Sequence, residues 1–464
     1  MLSSQPRSLS DRYVGRGNSR RDGSRESALD TLNYDVIYSI VVILSRNDLL
    51  SLMRTCRAMH NECMKVLLRS DINLQDPATV SKFCTCVLKE AGTRGPLLRS
   101  VSVSLIWKHI VRKEDVVPLC DVLMHAENLQ RLSILHTQIL RALPSDALAA
   151  ALSNLTNLKV LEVRGAHLLA TGVLRSMCSP LSQLTLNWDG QTSWEGAGMD
   201  MITFCSPSLQ ILCLTEVLPL PPSRITFPSL HTLSFIRPSP AADTIALIRS
   251  CPNIRSLKCQ AMTVRVSEAE VLRKRHYREH ANLRWPHLDH VRADLPDLYQ
   301  FALRQPIRRL ETTINGLSEH GILCLTAVLT DTQPTHLQLH VQVASSHEYV
   351  FFEDLLKAAT RLRYLKLTFG AGCRISPLHV ISIVRPLSIN YLEIAGTMEK
   401  DLTHRAEFFA QAVGRIIPSV NFVSVSILSK RQSFSVIRDD IQGEAVVDLL
   451  DEDDAQAVID AAWN

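Results

Sequence analysis

Two histidines four residues apart, His276 and His280, are the nearest this chain comes to a metal-binding pattern. On a helix they would share one face, but the acid that zinc hydrolases place directly after the first histidine is displaced here to Glu279. Arg273, Lys274, Arg275 and Arg278 add positive charge that repels a cation. The segment therefore reads as a solvated basic helix, a reading compatible with nuclear import or contact with an acidic partner. Cys84 and Cys86 form the tightest cysteine spacing and have no second pair to complete a site, so the 12 cysteines read as reduced, mostly buried thiols. No Gly-x-Gly-x-x-Gly, phosphate loop or Gly-x-Ser-x-Gly elbow occurs. Trp188 and Trp194 flank a Gly/Ser-containing loop and suit either a partner anchor or packing against a sheet edge. No basic stripe is interleaved with aromatics, so nucleic acid is not an expected partner. These residues point to a chain that binds other molecules without transforming them and that needs no cofactor.

The elements that carry such a surface are written in a recurring motif: an aliphatic residue, another three places on, and a third two places after that. It reads Leu129, Leu132, Ile134; Leu158, Leu161, Val163; Leu181, Leu184, Leu186; Leu209, Leu212, Leu214; Leu230, Leu233, Phe235; and Ile254, Leu257, Cys259, with later copies starting at Leu362, Ile389 and Val420. Side chains alternate along a strand, so the fourth and sixth places point the same way, into a core. Between copies, residues 145–152, 243–248, 318–329, 351–359 and 402–416 keep a helical period. Strand followed by crossover helix, repeated, gives parallel neighbours stacked right-handedly. The expected fold class is α/β, a curved and irregular leucine-rich repeat solenoid over residues 71–440, with its first strand at Leu98, Val101 and Val103. The pattern thins at Ala293 and Thr312, the sixth places of two copies. Prolines 219, 221 and 222 and the run 237–240 mark loops.

The ends differ from this array. Residues 1–28 are rich in Arg, Ser and Gly and too poor in aliphatics to offset the entropy of ordering, so they are expected to be a disordered basic tail. No secretory signal is read there, and no apolar run approaches the length that spans a bilayer. A soluble protein of the cytoplasm, the nucleus or both is expected, with no membrane partner. The net charge of +4 is too mild to imply a polyanion. Residues 441–464 mix Val446, Val447, Leu449, Leu450 and Val458 with five acids between Asp448 and Asp454, and read as an acidic helix closing the array or as a detached tail.

Residues 29–70 carry two short apolar-faced helices and a longer one, with Ser45 placed to cap the second and Asp48 three positions on. Leu32, Val36, Ile40, Leu44, Asp48, Leu49, Leu50, Cys56 and Arg57 fall on the pattern that ends in Asp-Leu-Leu and Cys-Arg. This segment resembles an F-box, and followed by a repeat array the whole is similar to fungal-type F-box proteins with leucine-rich repeats. The resemblance implies a substrate receptor of an SCF-type cullin–RING ubiquitin ligase. Those nine residues would dock a Skp-type adaptor, which links to the cullin, and the repeats would hold a substrate protein. The family's Pro after the first Leu is Asn33 here, which caps a helix as well. The alternative is a non-catalytic scaffold whose helical unit only caps the array.

Places five and seven of the motif lie on the strand face opposite the core. Glu162, Arg164, Asn187, Lys258, Arg292, Asp294, Glu311, His340 and Lys366 form the expected substrate face, with both charge signs mixed among amides. Such a mixture suits a protein surface better than a phosphate backbone.

Overall fold

The computed structural model describes residues 34–104, 111–166, 169, 171–188, 199–215, 225–236, 244–260, 266–279, 283–315, 318–342, 355–370, 376–396, 406–427, 430–438 and 445–463. The expected basic tail, Leu32, Asn33, His280, Trp194 and the two proline loops lie outside them, as do residues 351–354 and 402–405 of two expected helices. The chain divides into two compact units, one ending at Leu67 and one beginning at Leu68.

The first unit holds α1 (Tyr34–Ile43), α2 (Arg46–Leu52) and all but the last two residues of α3 (Arg57–Arg69). Ser45 caps α2 in extended conformation, and its Oγ accepts the Asp48 N–H at 3.3 Å. The Ser45 hydroxyl also donates to the Asp48 carboxylate at 2.6 Å, so Asp48 holds the capping hydroxyl in place. Ile37, Val41, Leu49, Met59 and Cys63 form the unit's core, with Leu44, Leu52, Met53 and Cys56 packed around it.

The second unit is a repeat solenoid built on one long, curved, mostly parallel sheet. Its strands, in chain and spatial order, are β1 (Asp71–Leu74), β2 (Ser100–Val103), β3 (Arg131–Ile134), β4 (Val160–Arg164), β5 (Gln183–Asn187), β6 (Ile211–Thr215), β7 (Thr232–Ile236) and β8 (Ser256–Gln260). They continue as β9 (His290–Asp294), β10 (Arg309–Asn315), β11 (His336–Gln342), β12 (Tyr364–Phe369), β13 (Tyr391–Gly396), β14 (Phe422–Ile427), β15 (Lys430–Arg438) and β16 (Ala445–Leu450). Neighbours are parallel from β1 to β14, and β14, β15 and β16 run antiparallel. The first strand thus lies one coil earlier than the motif indicates. Its sequence Asp-Ile-Asn-Leu supplies two aliphatics and no leading one.

The register stacks like on like. Leu132, Leu161, Leu184, Leu212, Leu233 and Leu257 are successive partners across β3 to β8, and Ile134, Val163, Leu186, Leu214, Phe235 and Cys259 form the parallel row. Leading residues Leu98, Leu129, Leu158, Leu181, Leu209, Leu230 and Ile254 are buried alongside them. The irregular sixth places, Ala293 and Thr312, are buried as well and keep the row continuous.

A polar row, not anticipated, precedes several of the leading aliphatics. Asn128, Asn157 and Asn253 donate Nδ2–H to the carbonyls of Pro96, Glu127 and Pro228 in the preceding coil, at 2.9, 2.9 and 2.7 Å. Ser229 and Ser419 do the same through their hydroxyls, to Pro207 and Ile389. Turn carbonyls that no strand reaches are thereby satisfied, which removes the cost of leaving them bare.

The basic helix Val266–Glu279 is not solvated all round. His276 is fully buried, with Nδ1 2.8 Å from the Gln300 carbonyl. Arg273 donates to the Tyr299 carbonyl at 2.8 Å and pairs with Asp331 at 2.5 Å, while Arg275 and Arg278 stay exposed. The helices of the next two coils supply those acceptors, Tyr299 and Gln300 from one and Asp331 from the other, which is why the charge pattern alone misplaces the two residues.

The stacked rows make two substitutions decisive. Leu161→Ala removes fully buried aliphatic volume and is expected to cost about 2–5 kcal/mol in urea unfolding. Gly396 has φ +139°, and a Cβ there would lie 2.3 Å from the Phe369 carbonyl oxygen. Gly396→Ala is therefore expected to cost roughly 1–3 kcal/mol despite adding only a methyl group.

Candidate protein-binding face

The nine expected face residues share one side of the sheet. Glu162, Lys258, Arg292, Glu311 and Lys366 occupy one register row, and Arg164, Asn187, Asp294 and His340 the next. Several are committed to each other. Arg292 lies 3.6 Å from Glu311, which accepts from His290 Nε2 at 2.8 Å. Lys366 lies 3.2 Å from Glu393, a buried carboxylate that sequence reading passed over. Glu393 also accepts the Tyr364 hydroxyl and lies 3.9 Å from Arg431. A lysine, an arginine and a phenol around one buried carboxylate compensate its desolvation. Burial, followed by the charge and hydrogen bond of Glu393, pushes the Tyr364 phenol up. Gln260, Arg292, Asp294, Glu311 and His340 border a small cavity of about 50 Å³.

A third row on the same face carries no expected site residue. His336, Tyr364, Tyr391 and Phe422 are register partners across β11 to β14, with ring centroids 5.6, 6.2 and 6.3 Å apart. They sit at the third place of the motif, which shares its face with places five and seven, so the aromatic run was readable.

That row is covered by the protein itself. The segment expected to form one acidic helix splits into β16 and a helix over Glu452–Trp463. The helix neither closes the end of the array nor hangs free; the antiparallel strands β15 and β16 end the sheet, and the helix lies across the open face. Ala455 and Ile459 pack on Phe422 beside Tyr391 and Leu450. Trp463 meets Tyr364 at 5.1 Å and His336 at 5.7 Å, both edge-on. His336 Nε2–H donates to the Ala462 carbonyl at 2.6 Å, and Arg308 donates to the Trp463 carbonyl at 2.9 Å. Burial holds the His336 imidazole below its ordinary value, in keeping with a neutral donor. Donors at the last carbonyls of a helix satisfy groups that have no partner within it.

In the first unit, Val36, Ile40 and Leu50 of the expected docking set are exposed, and Asp48 and Arg57 are exposed polar groups. Leu44 and Cys56 are partly buried, and Leu49 is in the core, so it supports the unit from within. Leu32 lies outside the described residues. Three further apolar side chains of α1, outside the expected docking set, are exposed: Tyr38, Val42 and Ile43, the last 81% exposed. Among the described residues no group of three or more His, Cys, Asp or Glu is placed to hold a metal ion, and no helix is long and apolar enough to cross a membrane.

No known family profile matches the chain, and no curated protein matches it. Among solved structures it is similar to a chain of the yeast Rad7–Elc1 complex, at 14% identity and a TM-score of 0.40, over 76% of this chain and 93% of that one.

The Glu311 cluster predicts a pH dependence. Burial raises this carboxyl, but the hydrogen bond and charge of His290, with Arg292 and Lys258, outweigh it and hold the group below its ordinary value. A lowered carboxyl contributes stability that is present above its unfolded value and lost as pH falls through the folded one. The difference in unfolding free energy between the native chain and Glu311→Gln is therefore expected to narrow between about pH 5 and about pH 3, read by urea titration.

Proposed function

We propose that this chain is a substrate receptor of a cullin–RING ubiquitin ligase, acting in the cytoplasm or nucleus. The three-helix unit docks a Skp-type adaptor, and the open face of the sheet holds a substrate protein. The receptor performs no bond chemistry; it raises the local concentration of substrate lysines near the conjugating enzyme. The observation that carries the reading is the surface of α1. Val36, Tyr38, Ile40, Val42 and Ile43 are all exposed on a helix whose Ile37 and Val41 already fill the unit's core. A helix that exposes this many apolar side chains beyond those filling its own core belongs at an interface. Together with the F-box-like order of Asp48, Leu49, Leu50, Cys56 and Arg57, this favours an adaptor as the covering partner.

Strands β4 to β9 present Glu162, Thr185, Cys213, Ser234, Lys258 and Arg292 in one row. Mixed charge and hydroxyls favour a polar protein segment over an apolar one.

Binding of the full-length chain to a purified Skp-type adaptor tests the reading by calorimetry and co-elution. Ile43→Asp is expected to weaken adaptor binding roughly 30-fold or more, the loss of ~2 kcal/mol typical of an interface anchor. Its thermal midpoint should stay unchanged, because Ile43 contributes little to the core. Absence of adaptor binding by the native chain would leave only the scaffold reading.

A further inference from the structure

Three successive coils carry helices of unequal length on the side of the sheet away from the open face. Val266–Glu279 and Glu319–Thr332 have 14 residues each, while Leu295–Phe301 between them has 7. At 1.5 Å per residue the flanking helices run about 21 Å and the middle one about 10 Å. The middle helix stops at Ala302, which takes a left-handed conformation with φ 50°. A cavity of about 180 Å³ opens in this region, walled largely by apolar side chains including Leu295, Tyr299 and Ile314.

His320 and Cys324 also line it, one turn apart on the Glu319–Thr332 helix. Cys324 Sγ lies 3.2 Å from His320 Nε2, and His320 Nδ1 lies 3.9 Å from a Glu270 carboxylate oxygen on the outer helix. Tyr299 meets the imidazole edge-on at 6.2 Å. The carboxylate faces the nitrogen that the thiol does not, so the three groups form a relay and do not converge on a point. The imidazole is thus within reach of the thiol proton, and the carboxylate, too far for a hydrogen bond, sets a negative charge on the other side of the ring.

We propose that this cavity is a covalent binding site for small, uncharged α,β-unsaturated carbonyl compounds, with Cys324 as the nucleophile and His320 as its base. Cys324 Sγ–H gives its proton to His320 Nε2 as Sγ bonds to the ligand's β-carbon. The π pair of the C=C bond shifts to the α-carbon, which then takes the proton from His320. The imidazole is regenerated, and nothing is oxidised or reduced. Burial keeps Cys324 a thiol, pushed up to about 11, so its reaction at neutral pH depends on the adjacent base. The apolar wall admits a small neutral reagent and excludes a large or strongly hydrated one.

Brief exposure of the full chain to N-ethylmaleimide near neutral pH, followed by digestion and peptide mass spectrometry, tests the site. Cys251 is the internal reference, being fully buried and pushed up to about 12. Cys324 is expected to label at least roughly tenfold faster than Cys251, and His320→Gln to slow it by about 100-fold, the low end for a general base. A maleimide carried on a long polyether chain should leave Cys324 unmodified. If His320→Gln also speeds Cys251, the fold has loosened, and Glu270→Gln at the exposed carboxylate decides instead, with about threefold slowing expected. Equal labelling of Cys324 and Cys251, or a Cys324 rate indifferent to both substitutions, overturns the proposal.

Discussion

No coil of this solenoid can bury its own aliphatic edge. A four- or five-residue strand exposes two inward side chains and a row of unpaired backbone groups on each flank. Only a neighbour in register removes both. Burying each inward Leu contributes roughly 1.5–3 kcal/mol, and the return exists only while the next Leu stands beside it. Leu161 touches Leu132 and Leu184 in this sense, and the relation repeats across β3 to β8. The Asn and Ser donors before several leading aliphatics tie the same neighbours at the turn, where the strand ladder no longer reaches.

The row's weakest stretch shows how the rest adapts. Cys259, Ala293 and Thr312 are successive small partners where Leu and Phe stand elsewhere. The space they leave admits Asp297, fully buried on the short helix Leu295–Phe301, whose carboxylate accepts from the Cys259 thiol at 3.7 Å. Burial, with the Asp297 charge, raises that thiol, so it stays the donor. A polar core in one coil and a truncated helix in the same coil lie beside the place where a cavity meets a thiol–imidazole pair. Departure from the repeat, more than the repeat itself, supplies chemistry to this chain.

Much of the sheet was legible because the motif encodes two independent facts, inward direction and neighbour identity, in fixed places. The side of the sheet on which Glu162, Lys258 and Lys366 lie follows from alternation alone. The aromatic row at His336, Tyr364, Tyr391 and Phe422 follows from the same rule and was missed because the face was read at two places and not three. Other features were not encoded locally. The period of residues 452–463 tells which side of the helix is apolar but not what that side meets, so its seat on Phe422 and Tyr364 was unreadable. The burial of His276 depends on a carbonyl 24 residues away, at Gln300. β1 escaped notice because Asp71-Ile72-Asn73-Leu74 borrows its strand character from β2. In the three-helix unit, the capping pair Ser45 and Asp48 was visible, whereas the separation of Leu49 inward from Leu50 outward needed the packing of α2.

The tether between the end of the chain and its middle bears on how the protein is made. His336 and the Ala462 carbonyl that it holds are 126 residues apart. A ribosome adding roughly 5–20 residues per second delivers the second partner on the order of ten seconds after the first. During that interval the stripe is made one ring at a time, His336 first and Phe422 last, with the helix that covers it still to come. Such a stripe is the kind of surface that chaperones seize, and release would coincide with arrival of the Trp463 turn.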